Sequence, residues 1–170
     1  NDRTIIGCGQ PLHTGGFGNT FNFYGFDLNI FFSWSYGNDV INANRLYFEN
    51  GSITNTNQLK TYVNRWTPEN PTSNIPRVGA DIASMFVYSS RVVEDASFLR
   101  LRNVTLGYTL PRNVLRKMHF DTMRFYVSAE NLWTLTNYSG PDPEVSTRNS
   151  VLTPGFDWSA YPRAMGVTAG

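Results

Sequence analysis

The sequence predicts an all-β, antiparallel fold whose strands cross a membrane, and three observations lead there. Charged residues are 16% of the 170 positions and aromatic residues 15%, whereas an average soluble domain is about 25% charged. Apolar and polar residues alternate along several runs, the clearest being eleven residues long. The connections between those runs are short and long by turns.

The alternation is clearest from Phe26 to Tyr36. Phe26, Leu28, Ile30, Phe32, Trp34 and Tyr36 take the even positions, and Asp27, Asn29, Phe31, Ser33 and Ser35 the odd ones, so only Phe31 breaks the pattern. A period of two marks a strand with one apolar face. Eleven residues at ~3.3 Å each, tilted by about 40°, rise roughly 27 Å, close to the ~25 Å apolar band of a transmembrane barrel. Upstream, Phe17, Phe21 and Phe23 share one face with Asn19, opposite Gly18, Thr20 and Asn22. A two-residue turn at Tyr24 and Gly25 pairs Phe23 with Phe26, Phe21 with Leu28, Asn19 with Ile30 and Phe17 with Phe32, which brings both apolar faces to the same side. Glycine supplies the positive φ that such turns need.

A third strand is expected from Phe98 to Leu110. Leu99 and Leu101 carry its apolar parity at first, then Val104, Leu106 and Tyr108, so the face switches near Arg102 and Asn103, as a β-bulge would do. The fourth, Met123 to Leu135, sets Met123, Phe125, Val127, Ala129, Trp133 and Leu135 against Arg124, Ser128, Glu130, Thr134 and Thr136, with Asn131 and Leu132 out of pattern. A fifth begins at Arg163, with Met165, Val167 and Ala169 on one face, and the chain ends within it.

The connections are Tyr24–Gly25, a long segment from Gly37 to Asp95, a compact Pro111 to Thr122, and Ser139 to Pro162. Membrane barrels sort their loops this way, with short periplasmic turns and long external loops. In the first long segment the prolines of WTPENPTSNIPR forbid regular structure across Pro68 to Pro76, while Asn57 to Arg65 reads as a short helix. No internal repeat or domain boundary stands out.

Other classes are disfavoured. No apolar run reaches the length of a transmembrane helix, and NDRTIIGCGQ lacks the layout of a signal peptide. A net charge of +1 without a basic stripe argues against nucleic acid. Cys8 alone builds neither a disulfide framework nor a zinc site. His13 and His119 have no ligand spacing, there is no G-x-S-x-G, and Gly15, Gly16 and Gly18 lack a phosphate-loop spacing. Neither an enzyme nor a cofactor is expected.

The stretches DASFLRLRNVTLGYTLP, MRFYVSAENLWTLTNYSGPDPEVS and AYPRAMGVTAG, with GFGNTFNFYGFDLNIFFSWSYGNDVINANR upstream, closely resemble the end of SusC/RagA-type TonB-dependent transporters. The resemblance covers nearly the whole chain. It implies the carboxyl-terminal part of an antiparallel up-and-down β-barrel, five strands of the family's 22, in the outer membrane of a Gram-negative bacterium. It further implies a plug domain that contacts TonB and is absent from this chain, a SusD-like surface lipoprotein as partner, and import of glycans or peptides. Two departures are a chain end several residues short of the family's terminal aromatic residue, and Cys8 where a polar or small residue is usual.

Asp27, Arg102, Arg124 and Glu130 fall on polar faces, where they would line a water-filled lumen, and the favoured reading is that they satisfy one another. Trp66, Tyr138, Phe156, Trp158 and Tyr161 fall in the long loops, where rings can stack on sugars or peptide side chains, or form the loops' own small core. Asp142-Pro143-Glu144 suits a turn or a calcium ligand equally. Trp34, Tyr36, Tyr108 and Trp133 lie near strand ends, at the depth of a lipid interface. Pro111 to Phe120, with Arg112, Arg116 and Lys117, reads as a solvated periplasmic turn. The competing fold is a soluble carbohydrate-binding β-sandwich. Strand length, the sorting of loops, and the two open edges of a five-strand sheet weigh against it.

Overall fold

A computed structural model of the chain describes residues 3–53, 55–79, 86–147 and 153–170, with the side chain of Met118 excepted. Parts of both long connections, at 54, 80–85 and 148–152, lie outside the described residues. Two compact units are present, a sheet unit (Leu12–Tyr36, Ser97–Asn137, Arg163–Gly170) and a loop unit (Asn1–Pro11, Gly37–Ala96, Tyr138–Pro162). In chain order the strands are β1 (His13–Phe23), β2 (Phe26–Tyr36), β3 (Asp39–Asn42), β4 (Val93–Asp95), β5 (Phe98–Thr109), β6 (Arg124–Thr136), β7 (Phe156–Asp157) and β8 (Gly166–Ala169). Among the described residues the longer helices are α1 (Ala43–Phe48) and α2 (Arg112–Met118).

The sheet unit is a five-stranded meander in the order β1-β2-β5-β6-β8, antiparallel throughout. The expected all-β, up-and-down arrangement is therefore observed, as a wall segment. Phe23 faces Phe26, Phe21 faces Leu28, Asn19 faces Ile30 and Phe17 faces Phe32, as the parity argument requires. Tyr24 and Gly25 both have positive φ, 46° and 87°, the geometry of a type I′ hairpin turn. The bulge falls where the face switches: Phe31 pairs with Asn103 and Phe32 with Leu101, leaving Arg102 as the extra residue. On β6 the same irregularity spans Asn131 and Leu132, and Asn131 takes a left-handed φ of 52°.

These registers align the apolar side chains in rows across the sheet. One row is Phe21, Leu28, Leu106, Val127 and Ala169, and another is Phe17, Phe32, Leu101 and Trp133. Phe17, Phe21, Phe125, Val127 and Leu135 are each more than half exposed. An exposed apolar face this wide marks a surface that meets lipid or another protein surface. Phe31, the exception to alternation, lies over Gly16 and Gly18 of β1, where a Cβ would meet its ring at 2.9 and 3.3 Å. Trp34 likewise covers Gly15. The three glycines are seats for aromatic rings.

Four strands differ from expectation at their ends. β1 begins at His13 instead of Phe17, because the pairing with β2 runs the whole length of that strand. β5 and β6 are offset from the expected ends by about one residue. β8 begins at Gly166, so Met165 stands outside the ladder. At that point the Asn131 side chain donates to the Ala164 carbonyl at 3.0 Å and takes the place of a ladder bond.

The loop unit holds a three-stranded sheet, β4-β3-β7, in which β3 is antiparallel to β4 and parallel to β7. The 3₁₀ turn Lys60–Asn64 lies inside the stretch expected to be helical. Across Pro68 to Pro76 there is no helix or strand, only the isolated bridge Thr67–Asn70 at its start and single backbone bonds from Ser73 to Asn70 and from Trp66 to Ile75. The core is small: Val40, Ala96 and Tyr138 form one cluster, and Ala43, Leu46 and Val92 are also buried. Because each unit is assembled from three separate stretches, no boundary is visible along the sequence.

Candidate functional site

The polar face of the sheet carries a hydrogen-bonded layer. Asn29 donates to Thr20 at 3.0 Å, Asn103 to Ser128 at 3.3 Å, and Thr105 and Ser128 share a bond of 2.8 Å. Arg124 reaches across β5 to Asp27 on β2 with two bonds, Nε to Oδ1 at 3.0 Å and the terminal nitrogen to Oδ2 at 2.5 Å, while its guanidinium lies 5.4 Å from the Tyr126 ring centre. The path is open because Gly107, in register with Asp27, has no side chain; a Cβ there would run into both charged groups. Gly107→Ala is expected to leave the sheet folded, since only the side-chain ends of Arg124 and Asp27 have to move, but to part the pair. Carbodiimide labelling of Asp27 should rise several-fold, and unchanged labelling would mean the pair finds another path. Arg102, at the bulge, donates to Ser33 at 2.7 Å. Glu130 faces Asn103 on one side and Gly166 on the other. Two of the four expected charges are thus joined, and the other two lie at the bulge.

The loop unit contains a denser network. Glu49, with its side chain 1% exposed, receives Arg45 at 3.2 Å, Arg91 at 2.8 Å and the Thr61 hydroxyl at 2.6 Å. Arg45 also bonds Glu94 at 3.1 Å and the Arg91 carbonyl at 3.0 Å. Glu94 accepts from Asn42, from the Ser139 hydroxyl at 2.8 Å and from the Ser139 amide at 2.9 Å. Two cations and two carboxylates therefore tie α1 to Thr61, β4 and Ser139, with the charges compensated.

Burial pushes the Glu94 carboxyl up, but the Ser139 and Arg45 bonds outweigh it, so the group titrates below its ordinary 4.5. A depressed carboxylate contributes stability above its unfolded value and loses it as the pH falls through the folded one. Protection of the β4 and α1 amides, measured against the intrinsic exchange rate at each pH, should therefore fall as the pH drops below about 4.5. Glu94→Gln should flatten that dependence; an identical profile in the variant would assign it to another group.

Beside this network is a cleft of about 650 Å³, lined among others by Asn42, Arg45, Glu94, Ser139 and Ser159. Asn44, Phe48 and Ser159 also line a hollow of about 280 Å³ bounded by Tyr47 and Trp158, whose rings meet edge to face at 6.0 Å. Asn42 Oδ1 is buried and has no hydrogen-bond partner among the described residues. Compensated charges, amides and hydroxyls beside aromatic rings suit a neutral, polar ligand. Among the described residues no group of acidic, histidine or cysteine side chains could hold a metal. At Asp142 the carboxylate accepts the Glu144 amide at 2.9 Å, which makes a turn.

No family model matches the chain. Among curated proteins, TonB-dependent receptor P3 of Formosa agariphila is 37% identical over 99% of this chain and 17% of its own length. TonB-dependent receptor P26 of the same organism is 33% identical over the whole chain and 18% of itself. TonB-dependent receptor SusC of Bacteroides thetaiotaomicron is 35% identical over 45% of the chain and 7% of its length. Among solved structures, the RagAB peptide importer in its closed-closed state superposes with a TM-score of 0.80 at 30% identity, covering 97% of this chain and 17% of that one. The RagAB peptide transporter does so at 0.76 and 31%, over 92% and 16%. The chain belongs with the SusC/RagA-type TonB-dependent receptors. It spans less than a fifth of the length of these relatives.

In this SusC/RagA-type segment the expected loop aromatics part company. Tyr138 is 6% exposed, packs with Val40 and Ala96, and donates its hydroxyl to Asp157 at 2.6 Å. Burial, and then the Asp157 carboxylate, push its phenol well above the usual 10.0, so it stays a donor. Phe156 lies in β7 with its ring 6.1 Å from Tyr88. Trp66 is half-buried and its amide bonds the Ile75 carbonyl. Trp158 is exposed beside Tyr47, and Tyr161 is 88% exposed. At the strand ends, Trp34 donates its indole N–H to His13 Nδ1 at 3.2 Å, Tyr36 stacks on His13 at 5.2 Å, and Tyr108 lies 4.5 Å from Phe26. Sequence reasoning did not find Arg45, Glu49, Arg91 and Glu94. Only the Arg45–Glu49 spacing of four residues, one helical turn, hinted at them.

Proposed function

We propose that the chain is the carboxyl-terminal part of the barrel wall, with its outer loops, of a TonB-dependent importer in the outer membrane of a Gram-negative bacterium. The observation that carries this reading is the five-stranded sheet with an exposed apolar face on one side and a hydrogen-bonded polar layer on the other. One side meets lipid, and the other lines a wet lumen in which Asp27, Arg102, Arg124 and Glu130 set the local charge. The segment performs no chemistry. Its loops help to shape a chamber closed by a SusD-like surface lipoprotein, and energy comes from TonB through a plug encoded elsewhere in the receptor. The cargo is a peptide or an oligosaccharide. Trp158 and Tyr161 are the exposed rings that would touch it; Trp66 and Phe156 hold the loops, and Tyr138 does so from their core. The RagAB likeness favours peptide, and the neutral polar cleft admits either.

The test uses the full-length receptor. It should fractionate with outer membranes, run as a compact band on unheated gels, and co-purify with a surface lipoprotein. Cells lacking it should lose growth on one class of oligomer and not on the corresponding monomers. A receptor that is monomeric and folded without detergent would sink the reading.

A further inference from the structure

At the hairpin-turn end of the sheet the last apolar row is Phe23, Phe26, Tyr108 and Phe125. From there the chain leaves β5, forms α2 and its left-handed cap at His119, and enters β6 at Arg124. Leu115 is 2% exposed and anchors the helix, whereas Val114 and Phe120 are exposed at 42% and 51%. Arg112, Arg116 and Lys117 are all exposed. None of them forms an ion pair with another described residue. Arg124, the next cation along, is already bonded to Asp27. The connection holds three cations against the single carboxylate of Asp121, so positive charge is concentrated in a chain whose net charge is only +1.

Depth and chemistry then agree. Arg112 opens α2 three residues after β5 ends at Thr109, just past the Tyr108 row that closes the apolar face, and within reach of a headgroup layer roughly 5–8 Å deep beyond the hydrocarbon. Arg112 and Arg116 are one helical turn apart and share a face, with Lys117 beside them. Exposed Phe120 and Val114 supply the apolar contacts of an interfacial segment. We propose that the Pro111–Phe120 connection binds the headgroups of anionic phospholipids in the adjoining leaflet, through Arg112, Arg116 and Lys117. The assignment to the periplasmic leaflet rests on the barrel reading above.

The experiment titrates the purified full-length receptor with phosphatidylglycerol and with phosphatidylcholine and counts bound lipids by native mass spectrometry. Phosphatidylglycerol should bind preferentially, more weakly at high salt, and without competition from inorganic phosphate. Each basic residue at an anionic surface contributes roughly fivefold, so replacing all three (Arg112→Gln, Arg116→Gln, Lys117→Gln) should weaken phosphatidylglycerol at least tenfold and leave phosphatidylcholine unchanged. Equal binding of the two lipids, displacement by phosphate, or an unaltered affinity in the triple variant overturns the proposal. If the triple variant does not assemble, the single Lys117→Gln change and the salt dependence of the unaltered receptor decide. A receptor that gives no compact band on unheated gels counts against the barrel reading and not against the lipid site.

Discussion

Glu49→Ala is expected to cost the loop unit about 3–5 kcal/mol, the toll of breaking a buried ion network from one side. Glu49 is 1% exposed, and its removal leaves Arg91 at 11% and Arg45 at 21% exposure facing the vacated site. Thr61 loses its acceptor as well. The two arginines cannot both turn to Glu94, which Ser139 and Asn42 already occupy. Hydrogen exchange of the full-length receptor should show protection lost over residues 43–49, 60–64 and 90–95 while β1, β2, β5 and β6 keep theirs. Glu49→Gln retains the volume and an acceptor for Thr61, so its loss should be intermediate. Equal protection in Glu49→Ala and the unaltered receptor would show that the loop is held by its small apolar core and not by the network.

The sheet was legible because its physics is local and periodic. One apolar face and one polar face force a period of two, and the even length of the Tyr24–Gly25 turn fixes how Phe17 to Phe23 meets Phe26 to Phe32. The switch of parity at Arg102 marked the bulge for the same reason. What Gly15, Gly16, Gly18 and Gly107 do was not legible, because a glycine's purpose depends on the side chain that passes over it, and that follows only from the register. The loop unit was less legible still. α1 is six residues long with two buried positions, Ala43 and Leu46, too short for a helical pattern to stand out. Arg45 and Glu49 meet Arg91 and Glu94 only after the chain has travelled through the long loop and back. Their burial also runs against the usual expectation that charged residues stay outside. Tyr138 and Trp158 looked alike as loop aromatics, yet one is bonded to Asp157 in the core and the other is exposed.

The direction in which the sheet faces yields the second large expectation. Ile30 lies at the middle of β2 in a row with Val104, Ala129 and Val167, and Asn29 beside it belongs to the polar layer with Thr20. An arginine on the lipid side near the bilayer centre costs about 2–4 kcal/mol. Ile30→Arg should therefore lower the guanidinium unfolding free energy of the receptor, refolded into lipid vesicles, by that amount. Asn29→Arg places the same charge one residue away on the wet side, where it forfeits one exposed hydrogen bond of about 1 kcal/mol or less. The comparison holds strand, depth and chemistry constant and changes only the face. In a soluble β-sandwich the apolar face is the core, so Ile30→Arg would also destabilise the fold, but it would do so without detergent or vesicles present. In a lipid-facing wall the penalty should instead shrink when the same substitution is moved toward either end of the strand, at Phe26 or Tyr36, because the cost of charge follows depth in the bilayer. A penalty that does not vary with position along β2 would be the signature of a core, and would turn the whole sheet inside out.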